Sequence, residues 1–324
     1  MKIDDNVDSQ RWASFVFDHP RGNIFQTPQM YEVLADARDT KPIFHCLMNE
    51  GELKGLYLGE VTHNCKDFTG VLTRRTVYSS EPLVKDDDDL PYLIQSAIRD
   101  GEGHFVEIRP RIGIKDEHLV KFGFRRREHL NSIIKLVSMD DNWQMLDKDK
   151  RKGINRAKQR YNVKITQDNS YEGVETCYAM LRRLYRNMKI PLKSKSFFHA
   201  IRKHLCSAGY ADFFVASIDS RPIAFQLALI YKDEIYTYYT ATEDEFKHKH
   251  AGDLLIWHLI EHGIRHGFAI LNFGGGGDPR KEYGPREYKK RFGTMFNNTG
   301  RYRYFKNSIF PYVASVAALI GVKT

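Results

Sequence analysis

The chain has 324 residues, 42% hydrophobic and 13% aromatic, which excludes a disordered polypeptide and leaves room for two ordinary domains or one large one. Its 50 basic residues against 41 acidic ones give a net charge of +9, a balance that suits a polyanionic partner such as nucleic acid, a phosphorylated substrate or an anionic membrane surface. Cys46, Cys65, Cys177 and Cys206 form no C-x-x-C pair, so they read as reduced thiols of a cytosolic protein and not as a disulfide or zinc framework.

The opening MKIDDNVDSQRW is acidic and has no apolar core, so it does not read as a signal peptide. Thr27-Pro28 starts a helix over 26–39 with Met30, Val33, Leu34 and Ala37 on one face. Strands are expected at 42–48, 53–61 and 72–78. Asp86 to Asp89 then cap a helix through Leu93, Ile94, Ala97 and Ile98, where acidic residues suit the positive end of the dipole. A strand at 104–109 stops at Pro110. A turn or short helix covers 117–124, and a strand covers 131–137. The second half repeats this order. Helices are expected at 142–161, 171–189 and 196–208, and strands at 211–218, 223–231 and 234–241, with Lys232-Asp233 as a hairpin turn. A helix at 252–266, a strand at 268–273, a basic segment and a strand at 302–306 follow. The apolar stretch 310–322 is too short to span a bilayer. It is read as docking on the protein, with peripheral contact to a membrane surface as the alternative. The repeated order predicts an α/β (α+β) chain of two similar units, 1–139 and 140–324, each a mixed sheet flanked by helices.

Four stretches carry candidate chemistry. The first is 266–293, where the apolar strand ends in Gly274, Gly275, Gly276 and Gly277 and is followed by Lys289, Lys290 and Arg291. A buried strand that stops at glycines would leave backbone N–H groups open to an anion, and a lysine brought back to the same mouth would complete the site. A flexible loop before a solvated basic helix is the competing reading. In the second, Lys148, Lys152, Arg156 and Arg160 recur at every fourth position, so they form a basic ridge on one helix face, either solvated or covered by a nucleic acid or other phosphorylated ligand. The third surrounds Pro191 with Arg186, Lys189, Lys193 and Lys195, a loop that can hold a phosphate or carboxylate or serve only as a soluble turn. In the fourth, Tyr236 and Tyr238 share a strand face with Tyr239 opposite, and the strand leads to a helix N-terminus near Gly252 whose free N–H groups could take a phosphate or an acyl oxygen. His248 and His250 are read as loop residues, and no metal is expected.

These stretches resemble the FemAB-like transferases. NIFQTPQM is similar to the opening F-Q segment of that family. SIIKLVSMDDNWQMLDKDKRKGINRAKQRYNVKI resembles its central K-x-R-x-x-I-x-x-A signature, with Lys150 one residue off, Arg151, Ile154 and Arg156-Ala157 standing in it. FAILNFGGGG and EYKKRFG resemble the closing D-F-G-G and F-K-x-x-F-G signature. Three departures stand out. Asn272 replaces the usual Asp, Tyr288 replaces the Phe before the lysine, and the N-terminal lysine of the family falls near Leu34 and is absent.

The resemblance implies two tandem acetyltransferase-like (GNAT) units. It also implies transfer of an amino acid from aminoacyl-tRNA to an amine of a peptidoglycan-like cell-envelope precursor, in the cytoplasm at the inner membrane face. It makes Lys289 the functionally important lysine. It makes Lys193 with Phe197 the nearest match to the R-x-x-x-Y pattern that binds the nucleotide-sugar precursor. The usual acetyl-CoA loop, Q/R-x-x-G-x-G/A, would here be Lys249-x-x-Gly252-x-Leu254, which keeps one glycine. The expected catalytic residues are therefore Lys289 and Tyr238. Substrate is expected at Gly274, Gly275, Gly276, Lys193, Phe197 and Gly252, and nucleic acid at Lys148, Lys152, Arg156 and Arg160. The donor, aminoacyl-tRNA or acyl-CoA, is a co-substrate and no resident cofactor is expected. Two rivals are an acyl-CoA-dependent N-acyltransferase acting on a small amine, lipid or sugar, and a non-catalytic nucleic-acid-binding protein with this fold.

Overall fold

Long buried runs in the central strands and the buried faces of the helices that cover them sort the chain into two sheet-and-helix units. The computed structural model describes residues 2–4, 7–62 and 74–306. One unit takes the chain up to Glu128 together with the chain from Thr299 on; the other is His129–Asn298.

In the first unit, β1 (Lys2–Asp4), α1 (Ser9–Asp18), α2 (Pro28–Asp36), β2 (Thr40–Asn49), β3 (Glu52–Thr62), β4 (Arg75–Tyr78), β5 (Leu83–Val84), α3 (Leu90–Asp100), β6 (Phe105–Ile108), α4 (Asp116–Val120) and β7 (Arg125–Arg127) follow in chain order. The spatial order is β1-β2-β3-β4-β6-β15-β7, where β15 (Arg301–Phe305) arrives from the far end of the chain and β5 pairs β3. Only β4 and β6 are parallel among these pairs. The apolar stripe of α3, Leu93, Ile94 and Ala97, closes over Tyr57, Tyr78, Val106, Ile108 and Tyr302. Gln26, from the segment NIFQTPQM, is fully buried and ties β3, the loop after β4 and α1 together. Its Nε2 donates to Ser80 Oγ and Glu81 O (both 2.9 Å), its Oε1 accepts from Leu58 N (2.9 Å), and its carbonyl accepts from Trp12 Nε1 (2.7 Å). Such a buried amide must find partners for both ends, and here it does.

The second unit runs β8 (Leu130–Lys135), α5 (Met139–Met145), α6 (Lys148–Asn155), β9 (Lys164–Gln167), α7 (Tyr171–Met188), α8 (Lys195–Ala200), β10 (Ala211–Ile218), β11 (Arg221–Tyr231), β12 (Glu234–Thr242), α9 (Ala251–Arg265), β13 (Ile270–Gly277), α10 (Gly284–Lys290) and β14 (Met295–Asn298). Its sheet order is β14-β8-β13-β12-β11-β10-β9. The central helix α9 buries Leu254, Leu255, Leu259 and Ile260 against Ile154, Ala157, Ala224, Ile235 and Leu271.

Two expectations need correction. The boundary expected between 139 and 140 falls instead at 128/129, with a second crossing at 298/299. Strand pairing decides this: β8 pairs β13 and β14, whereas β15 pairs β6 and β7. The single helix expected over 142–161 is two helices. Leu146 is extended (ψ 140°), and Asp147 caps α6 by accepting from the Asp149 N–H. Arg151 then forks onto the carbonyls of Gln144 (3.0 Å) and Leu146 (2.7 Å), satisfying acceptors that the end of α5 leaves open. The apolar stretch 310–322, Cys65 and the start of the strand expected at 72–78 lie outside the described residues.

Candidate active site

The centre of the second sheet opens into a wedge. β12 and β13 run parallel but pair over only three positions, Glu234↔Ile270, Ile235↔Leu271 and Tyr236↔Asn272. Beyond Tyr236 they separate, β12 staying with β11 as far as Ala224↔Thr242 and β13 staying with β8 as far as Gly277↔Leu130. Irregularities in both strands accompany the split. Leu227 faces Tyr239 and Ala228 faces Thr237, so Tyr238 is an extra residue in β12, and β13 shifts register against β8 on either side of Gly274-Gly275. Each bulge bends its strand and increases its twist. The result is a cavity of about 470 Å³ lined by β12 from Thr237 to Thr242, the start of α9 at Gly252 and Asp253, Phe273, Tyr288 and Lys289. That volume lies within the range of small-molecule sites.

The bulge also changes the tyrosines. Strict alternation would set Tyr239 on the face opposite Tyr238. Instead the two rings meet edge-to-face with centroids 4.7 Å apart, and both line the cavity. Tyr238 lies between Tyr236 (6.1 Å) and Phe197 (6.3 Å).

The glycines differ from the expectation of free N–H groups beyond a strand end. β13 continues through Gly277 and stays paired with β8. The Gly274 N–H donates to Asn272 Oδ1 at 2.8 Å, so Asn272, buried where a family Asp is usual, closes the bulge with an uncharged acceptor. Gly274 (φ +68°) and Gly277 (φ +75°) adopt the left-handed region, and a Cβ at Gly274 would stand 2.6 Å from the Tyr236 hydroxyl oxygen. Glycine is required there by backbone and by space. What this strand presents to Lys289 is carbonyl oxygen: Lys289 Nζ donates to Phe273 O (2.6 Å) and Gly275 O (2.7 Å). Pro285 in the first turn of α10 begins the helix that carries Lys289 back to the wedge. Burial pushes the Lys289 amine down to about 8.

A second cluster lies beside the wedge; Lys150 and Tyr288 were read above only as signature positions and His250 as a loop residue, and Asp253 was not singled out. Lys150 and Asp253 are buried, with Lys150 Nζ 2.6 Å from Asp253 Oδ1. The Tyr288 hydroxyl donates to the same oxygen (3.0 Å), and His250 Nδ1 lies 3.3 Å from Oδ2. Lys150 Nζ also sits 3.9 Å over the Tyr288 ring and 5.0 Å over that of Phe292. Burial lowers the Lys150 amine below its ordinary range, with the Asp253 carboxylate opposing the shift. Burial and Asp253 push the Tyr288 hydroxyl well above its ordinary value, so it stays a donor. Asp253 stands in the first turn of α9, at the positive end of the dipole. The available signal was the lysine of the central signature, Lys150, together with the tyrosine of EYKKRFG, Tyr288.

The remaining candidates scatter. α9 begins at Ala251 after His250 in the left-handed conformation, with no side-chain cap, and Gly252 lines the cavity. Phe197 is a core residue, 1% exposed and packed at right angles on Phe198. Lys193 Nζ lies 5.4 Å over the Phe197 ring, and neither residue lines the cavity. Lys148, Lys152, Arg156 and Arg160 are all exposed. A π turn over Arg156–Arg160 breaks the strict fourth-residue repeat between the last two. Among the described residues no cluster of His, Cys, Asp or Glu could hold a metal ion, and no helix is long and apolar enough to cross a membrane.

Comparison with known proteins fits this geometry. A family model described as an acetyltransferase (GNAT) domain matches residues 146–290, which contain the wedge and both clusters. No curated protein matches the chain in sequence. Among solved structures, FemX superposes with a TM-score of 0.72 at 14% identity, covering 98% of this chain and 99% of that one. L-PGS from Bacillus licheniformis gives 0.61 at 16% identity with both chains fully covered. A tandem GNAT protein from the clavulanic acid biosynthesis pathway gives 0.55 at 9%, covering 92% and 95%. The chain therefore carries an acetyltransferase (GNAT) domain over residues 146–290 and has the FemAB-like tandem GNAT fold.

Proposed function

We propose that the protein transfers an amino acid from aminoacyl-tRNA to an amine of a peptidoglycan-like cell-envelope precursor, with the wedge between β12 and β13 as the reaction site. The observation that carries this reading is the placement of Lys289 and Tyr238 on one 470 Å³ cavity at the split. The acceptor amine attacks the ester carbonyl, a C–N bond forms, and a tetrahedral oxyanion develops. The ester C–O bond then breaks, the amine gives up a proton, and the departing ribose oxygen takes one. Such chemistry needs orientation and charge stabilisation more than a covalent nucleophile. Lys289 in its ammonium form, held by two carbonyls, supplies the charge. Tyr238 carries the proton. The exposed ridge of Lys148, Lys152, Arg156 and Arg160 takes phosphates of the tRNA. The likeness in fold to FemX and L-PGS supports this reading, as does the single glycine in Lys249-x-x-Gly252-x-Leu254. The setting is the cytoplasm, at the inner membrane face.

An acyl-CoA donor is the second reading, favoured by the acetyltransferase description of residues 146–290 and by the uncapped N-terminus of α9 at the cavity. One experiment separates the two. Labelled aminoacyl-tRNA and labelled acetyl-CoA are each incubated with the protein and cell extract as acceptor, with Lys289→Ala alongside. Transfer from tRNA that the variant loses supports the first reading. Transfer from the thioester alone, with free thiol released, replaces it with the second. Lysine-independent RNA binding without transfer from either donor points to a nucleic-acid-binding protein.

A further inference from the structure

In the first unit, the half of the sheet formed by β4, β6, β15 and β7 has two unlike faces. Val106, Ile108 and Tyr302 point to the core under α3. The other face is set by register: Arg303 pairs Glu107 and Arg125, Arg301 pairs Arg127, and Val77 pairs Glu107. Residues two apart share a face, so Arg75 and Arg109 join it, as does Glu60 through its pairing with Val77. Six arginines against two glutamates leave a local charge of +4, and no lysine is among them.

The arrangement is built, not incidental. Glu107 is fully buried and bridges Arg109 and Arg303 with its two oxygens, which hold its carboxyl well below the usual carboxylate range. Phe105 and Phe305 pair with centroids 5.7 Å apart; the Arg303 guanidinium lies 5.0 Å over Phe105 and that of Arg125 5.9 Å over Phe305. Rings beneath a guanidinium hold its plane, and Arg303 is held further by donating to Glu107. Burial first, then neighbouring arginines, lowers Arg75 and Arg127 from their ordinary values, a repulsion that a bound anion would relieve. Strands stand ~4.8 Å apart and alternate residues ~6.7 Å apart, so the array extends ~14 Å across four strands. One phosphate cannot meet so wide an array, whereas a polyphosphate backbone can.

We propose that this arginine face binds RNA through its phosphates. It depends on the function proposed above only for the identity of the RNA as the tRNA donor. The test uses the full chain and 5′-labelled uncharged tRNA, followed by fluorescence anisotropy over a series of salt concentrations. The variant Arg125→Gln/Arg127→Gln changes exposed positions and spares the arginines that hold Glu107. Each arginine removed should reduce the slope of log affinity against log salt by ~0.7, with about tenfold weaker binding for the pair at moderate salt. Arg125→Lys/Arg127→Lys, which retains charge and fold, should keep the slope but lose several-fold in affinity. Unchanged affinity and slope in both variants would overturn the proposal. So would unchanged RNA binding with lost binding to phosphatidylglycerol–phosphatidylcholine vesicles, which would assign the face to a membrane. The transfer assay keeps the two ideas apart. Turnover from charged tRNA with an unchanged KM in the glutamine variant removes this surface and leaves the enzyme reading intact. Weakened RNA binding in a protein that turns over no charged tRNA supports the surface and removes the enzyme reading.

Discussion

Lys150 Nζ and Asp253 Oδ1 lie 2.6 Å apart, and only 6% and 9% of the two residues is exposed. The pair joins α6 to the first turn of α9 and borders the cavity through Asp253. Breaking such a pair from one side leaves a buried charge, which costs about 3–5 kcal/mol, whereas removing both partners costs far less. Lys150→Met and Asp253→Asn should each lower the urea midpoint strongly, and the double variant should recover much of the loss. Simple additivity in that cycle would show that the two groups are not coupled.

The depressed value of Lys289 fixes the sign of a pH dependence. With the amine at about 8, the ammonium predominates at neutral pH and is lost above it. Transfer should therefore decline as pH rises through about 8. Lys289→Arg stays charged throughout. It should flatten the decline while lowering the rate, because a planar fork cannot copy the contacts to Phe273 O and Gly275 O. A rate that instead rises through pH 8 would make Lys289 a base.

Gly274 is held by two constraints that can be separated. Gly274→Ala should cost about 1–2 kcal/mol for its positive φ, and more for the contact with Tyr236. Adding Tyr236→Phe removes the hydroxyl and should return the second part only. Equal midpoints for the single and double variants would show that Tyr236 yields freely.

Stability should fall on the acid side because of α9. His258 and His262 lie below the ordinary 6.5, chiefly from burial and then from neighbouring histidine, His262 for His258 and His266 for His262. Arg265 and Lys158 press the same way, and Glu261 and Asp212 oppose them. The unfolded chain takes up protons near 6.5 before the folded one does, so stability is full above that pH and drains as pH falls below it. Melting temperatures measured from pH 8 to 5.5 should show this loss, and His262→Gln should reduce it.

The long strands β2, β3, β10, β11 and β12 were legible as apolar runs and α9 as a helical repeat, whereas the short β1, β5, β7, β9 and β14 were not expected, because two to four residues carry too little pattern. Lys289 was named from its place after the glycine run and again from the motif, but its partners were not: it meets Phe273 O sixteen residues back along the chain, and no local pattern reports that contact. Lys150 was hidden among the exposed lysines and arginines of its own helix, since charge density says nothing about which member points inward. The bulge at Tyr238 went unread although the Tyr/Thr alternation of YTYYT breaks at Tyr238-Tyr239, because adjacent tyrosines equally fit a regular strand with an aromatic residue on each face. The boundary was misplaced because β15 finds its partners across the whole second unit, and pairing over such separations leaves no trace in composition.

That returning strand sets an order on biogenesis. The ribosome releases every strand of the second sheet by Asn298, yet β6 and β7 of the first must wait for Arg301–Phe305 to fill the place between them. The half that emerges first is thus the last to be completed, and until then it carries two unfilled strand edges of the kind that recruit foreign chains. One of those edges, β7, is three consecutive arginines, each repelling its like on a neighbouring nascent copy, which suits a segment that spends most of translation unfinished.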